Sequence, residues 1–154
     1  MKKTPIALVI ALAVQTAASL LAAEPDAVNK DIARFQGEWT MMSGVADGAP
    51  IPDYLLKQIV QVFKEDLMTG TMSGTMYWKV KFAIDPSKSP KTIDYAIIGG
   101  PAAGAKQLGI YEIDGGTCKL CLGKLNGGRP KSFDATPGSG DTASTWKRVK
   151  PVAP

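Results

Sequence analysis

Between Met76 and Ile84 the chain keeps one strict rhythm: Met76, Trp78, Val80, Phe82 and Ile84 are apolar, and Tyr77, Lys79 and Lys81 fall between them. A period of two sends alternate side chains to opposite faces of an extended chain, so this segment is a strand with one dry face and one wet face. The same rhythm places Ile93, Tyr95 and Ile97 inside on the next strand, and Leu120 and Leu122 inside on a later one. Carried along the chain, it predicts strands at residues 38–45, 59–64, 67–73, 75–84, 92–98, 107–113, 117–122 and 142–149. Turn-forming clusters separate them: Asp47-Gly48-Ala49-Pro50, Glu65-Asp66, Asp85-Pro86-Ser87, Gly99-Gly100-Pro101, Asp114-Gly115-Gly116 and Pro137-Gly138-Ser139-Gly140. Eight strands in series on mostly short links predict an all-β fold, an antiparallel up-and-down barrel of about eight strands.

Helical patterns are short. Residues 29–36 allow two turns with Asn29 as N-cap and Ile32 and Phe35 on one face, ended by Gly37, and residues 52–57 allow one more. The expected organisation is a signal peptide over residues 1–23, a flexible segment over 24–30, one barrel domain over 31–150 and a tail over 151–154. Met1-Lys2-Lys3 is a basic start, Ile6 to Val14 carries no charge, and small residues lead to a cleavage site after Ala22 or Ala23. The protein is therefore expected to be exported to the periplasm or beyond the cell, with no membrane span once the leader is removed.

The 154 residues include no histidine, which excludes imidazole bases, Ser-His-Asp triads and His-ligated metal sites. Removing residues 1–23 takes away two lysines and no acid, so the formal charge of +4 falls by two. Acids are interspersed among the remaining cations, and no nucleic-acid-binding patch is indicated.

Five stretches in order carry a resemblance: Phe35-Gln36-Gly37-Glu38-Trp39; Asp47-Gly48-Ala49-Pro50-Ile51-Pro52; Asp85-Pro86-Ser87-Lys88-Ser89-Pro90-Lys91-Thr92-Ile93-Asp94; Gly109-Ile110-Tyr111-Glu112-Ile113-Asp114-Gly115; and Arg129-Pro130 through Pro137-Gly138-Ser139-Gly140. Together they resemble a lipocalin-like domain family catalogued as an uncharacterised domain of Planctomycetes and similar bacteria. The resemblance implies a lipocalin-type barrel and no established activity. It also implies that Trp39, in Gly37-x-Trp39, plugs one barrel end beneath a basic residue of the last strand, with Arg148 as first choice and Lys147 as second. Thr142-Ala143-Ser144-Thr145 is more polar than the aliphatic closing strand expected of the family, which makes that seam the least secure.

Cys118-x-x-Cys121 falls in a strand, where residues three apart face opposite sides with Cα atoms about 10 Å apart, beyond disulfide reach. Two free thiols are expected, with no redox or zinc role. Residues 99–106 resemble a phosphate-binding loop only superficially, having no Ser or Thr after Lys106 and no helix to follow. The carboxylates offer no pair at catalytic spacing, so no enzyme and no cofactor are expected.

Met41, Met42, Met68, Met72 and Met76 with Trp78 form an adaptable apolar set. The leading expectation is a small apolar ligand inside the barrel, lined by Met41, Trp78, Val80, Phe82, Ile93, Tyr95, Leu120 and Leu122. The alternative is a non-catalytic envelope protein that contacts another protein or the cell wall through its outer surface. A void of several hundred Å³ favours the first; a core closed by Trp39, Trp78 and Phe82 favours the second.

Overall fold

The computed structural model describes residues 23–151. Apart from Ala23 and Pro151, the expected signal peptide and the tail lie outside the described residues. The elements are α1 (Pro25–Phe35), β1 (Gly37–Ala46), β2 (Ala49–Pro50), α2 (Asp53–Leu56), β3 (Ile59–Lys64), β4 (Leu67–Met72), β5 (Thr75–Asp85), β6 (Lys91–Gly99), β7 (Lys106–Asp114), β8 (Thr117–Leu122) and β9 (Thr142–Lys150). Every neighbouring pair is antiparallel, and β1 pairs with β9 to close eight strands into an up-and-down barrel; β2 is a two-residue addition to β1. Among the described residues no helix is long and apolar enough to cross a membrane.

Closure at β1–β9 is complete, from Glu38 opposite Lys150 to Ala46 opposite Thr142. This corrects the expectation of an insecure seam. The ladder is made by backbone groups, which polar side chains do not weaken, and Trp146 supplies the missing apolar volume. It is buried on the inner face, and its indole N–H donates to Ser144 Oγ at 2.8 Å, so the polar residue serves the aromatic one.

Two further expectations are corrected by β-bulges. The register between β4 and β5 passes from Gly70 opposite Trp78 to Thr71 opposite Met76, leaving Tyr77 as an extra residue. One inserted residue reverses the facing of everything beyond it, so Met76 is exposed while Trp78 stays inward. A second bulge, between Met41 and Ser43 in the β1–β9 register, leaves Met42 unpaired and exposed. Of the methionine set, Met41 and Met68 are in the core and Met72 packs against it.

The N-terminal helix begins at Pro25, four residues before the expected N-cap, and so covers most of the segment expected to be flexible. Proline suits a first helical position, where its missing N–H would have no partner in any case. Asn29 lies within the helix, and Glu24 occupies the cap without a side-chain hydrogen bond. Asp31, Ile32 and Phe35 form the inward face. Phe35 closes one end of the barrel, its ring centroid 5.1 Å from Phe63, 5.7 Å from Phe82 and 5.1 Å from Tyr111.

Asp31 is buried at the same end and gathers three partners: Lys91 Nζ at 2.7 Å, Tyr111 Oη–H at 2.8 Å and Arg34 at 3.2 Å. Burial alone would raise its pKa, but the hydrogen bonds from Lys91 and Tyr111 and the charges of Lys91 and Arg34 outweigh this, holding the carboxyl below its ordinary value of 3.8. A group with a lowered folded pKa stabilises the fold fully once the pH is well above the ordinary value, and that stabilisation disappears as the pH falls through the folded value. Asp31→Asn is therefore expected to lower stability by about 2–4 kcal/mol near neutral pH, because it leaves Lys91 poorly paired. Urea unfolding of both proteins should show the gap closing in acid below the ordinary carboxylate range, and an equal stability at pH 7 would remove Asp31 from this role.

Candidate functional site

The barrel interior holds all eight residues expected to line a ligand cavity, and it is filled by them. Val80, Phe82, Ile93, Tyr95 and Leu120 are between 0% and 3% exposed, so no void large enough for a water molecule touches them appreciably; Met41 is also buried. Trp78 and Leu122 pack against this core from its margin. The Trp78 indole lies directly on Gly70, where a β-carbon would collide with it, so the glycine in β4 is what lets the ring turn inward.

At the plugged end, the Arg148 guanidinium stands 4.7 Å over the Trp39 ring, and the indole N–H of Trp39 donates to Phe35 O at 2.7 Å. Arg148 also donates to the carbonyl of Arg34. Arg148 is thus the stacking partner, because the register sets it opposite Trp39 whereas exposed Lys147 pairs with Thr40. The contact fastens the last strand to the end of α1.

Four buried polar side-chain atoms have no hydrogen-bond partner among the described residues: Gln61 Oε1 and Tyr95 Oη in the interior, Arg148 Nε beside Trp39, and Asp94 Oδ1 near Arg129. Burial, and after it the neighbouring Cys118, push the Tyr95 phenol well above its usual range, so it stays protonated. Neither Gln61 nor Trp146 carries a sequence signal of function, since a lone Gln within a strand pattern reads as one more surface residue.

Two hollows open outward. The larger, of about 760 Å³, lies between the 85–90 turn and residues 129–131, and its lining includes Lys88, Ser89, Thr92, Asp94, Arg129 and Lys131. A smaller one, of about 250 Å³, lies on β1, β8 and β9 beneath Phe133. Both depend on the 123–141 connection, which crosses the outer faces of β6 to β9. This segment is anchored by Arg129, whose guanidinium donates to Gly109 O at 2.6 Å and pairs with Asp94 at 2.7 Å. Gln107 adds a bond to Gly123 O at 2.8 Å. Two of the stretches that carried the family resemblance, 85–94 and 129–130, therefore meet as the walls of one cleft.

The connection also explains Cys121. Cys118 faces the interior and Cys121 the outer wall, and both are buried and free. Burial, reinforced by Asp141 and Asp134, raises the Cys121 thiol to about 11, and burial raises Cys118 further. Among the described residues there is no group of three or more metal-ligating side chains. No family model, curated protein or solved structure matches the chain.

With its thiol raised to about 11 by burial, Cys121 is overwhelmingly protonated at pH 8, and cover by the 123–141 connection slows reagent access further. The expected result with a chromogenic thiol reagent is no reaction in the native protein and two thiols per chain in urea. Rapid reaction of one thiol in the native state would mean that the 123–141 connection opens.

Proposed function

We propose that this is an exported, non-catalytic, lipocalin-like protein of the cell envelope that makes its contacts through the outer wall of the barrel. The observation that carries the reading is the pairing of a filled interior with a preformed cleft of about 760 Å³ on the outside. Clefts of this size suit specific ligands, and both walls of this one are held by hydrogen bonds and an ion pair before anything binds. Export is supported by the basic start, the uncharged run and the small residues that precede Glu24.

A second reading, a small and mainly apolar molecule within the barrel, is favoured for a guest that also carries a polar group, which would meet the unpaired Gln61 Oε1 and Tyr95 Oη. Such a guest would have to displace side chains, for which thioethers such as Met41 and Met68 are well suited.

Two measurements test these readings. Labelled protein should bind saturably to the isolated envelope of its own host, and Thr92→Trp, which fills the cleft from its floor, should weaken retention at least about tenfold. No retention, or equal retention of the variant, would overturn the surface reading. Native mass spectrometry of the protein purified from the host should give the bare mature chain beginning at Ala23 or Glu24; a co-purifying small molecule would favour the interior instead.

A further inference from the structure

We infer that the outer cleft takes an anionic group, a phosphate or a carboxylate, between Lys88 on one lip and Lys131 on the other. The inference rests on the reading of the outer wall as the working surface and names the chemistry that surface selects.

The charges of the cleft are not equally free. Its two acids are engaged within the fold. The charge of Asp94 is compensated by Arg129 at 2.7 Å, although its buried Oδ1 has no aligned hydrogen-bond donor among the described residues, and Asp85 accepts hydrogen bonds from the backbone N–H of Ser87 at 3.0 Å and from its hydroxyl at 2.6 Å. Those two bonds, with a smaller contribution from the charge of Lys88, hold Asp85 below its ordinary pKa and closed into its own turn. Arg129 is likewise engaged, donating to Gly109 O and pairing with Asp94, so it acts as a brace beneath the cleft. Lys88 and Lys131 remain: among the described residues neither has an ion-pair partner.

Two ammonium groups that line one cleft and have no partner within the fold make an anion the group that neutralises them. The floor increases the attraction for such an anion. Pro90 contributes exposed apolar surface, and the buried Pro130 and Ile110 back it from beneath, which lowers the local dielectric and strengthens a charge interaction above them. Ser89 and Thr92 add hydroxyls with no side-chain hydrogen bond among the described residues, placed to meet the uncharged polar part of a ligand. A cleft of about 760 Å³ is far larger than a bare phosphate, so the anion is the end group of a larger polar molecule.

Titration calorimetry at low ionic strength with glucose 6-phosphate, glucuronate and glucose separates the two sources of charge from the sugar itself. At least one charged sugar should bind about tenfold or more tightly than glucose, with an affinity that falls as salt rises. The tighter of the two identifies phosphate or carboxylate as the preferred group. In the Lys88→Ala, Lys131→Ala double variant this preference over glucose should vanish, and because both side chains are exposed the variant can be checked for unchanged thermal unfolding. Equal binding of all three sugars by the wild-type protein, no binding at about 10 mM, or a preference that survives in the double variant would each overturn the inference. A wild-type protein retained by envelopes yet indifferent to both charged sugars would overturn it too, while leaving the surface reading in place.

Discussion

The backbone ladder between β1 and β9 is the contact on which every other feature depends. It converts a meander into a closed surface with no free edge, and so gives each residue of eight strands an inside or an outside. Its cost falls on the first residue. Gly37 has φ +120, and a β-carbon there would lie 2.5 Å from the carbonyl oxygen of Lys150. Only glycine lets the chain leave α1 and enter the seam within one residue. Trp39 and Arg148 then meet across the same seam, so the stacked pair is a product of the register that closes the barrel.

Closure alone leaves two open ends, and α1 treats one of them. Phe35 joins Phe63, Phe82 and Tyr111 in an aromatic floor, and Asp31 fixes the helix against β6 and β7 through Lys91 and Tyr111. A buried carboxylate is a poor source of net stability, because desolvation offsets much of the attraction. Its value lies in direction: only one docking of α1 gives Asp31 both Lys91 and Tyr111 as donors, whereas an apolar residue would tolerate many.

All eight barrel strands were legible because a closed antiparallel barrel demands alternation from each of them, and turn residues must fall where it stops. What escaped was local or distant. Met42 and Met76 face outward because single inserted residues shifted the count, and alternation carries no mark of a bulge until the partner strand is known. The polar run 142–145 misled because side-chain polarity says little about a backbone ladder. The start of α1 was missed because Asn29 is a better cap than Glu24 by residue type, yet Pro25 and the docking of Asp31 decided the helix. The cleft was illegible in principle: its walls are far apart in sequence, and residues that read as ordinary turn and loop punctuation become a site only after the 123–141 connection is laid across the sheet.

The register Glu38–Lys150 has one more consequence. β9 finishes beside the last turn of α1, with Pro151 against Gly37. The 85–90 turn stands on this same rim, since Lys91, just beyond it, reaches Asp31 of the helix. Any tether added after Lys150 would therefore hold the molecule by its plugged floor. Its orientation would follow: the cleft would lie near the anchoring surface, and the opposite mouth of the barrel would point away.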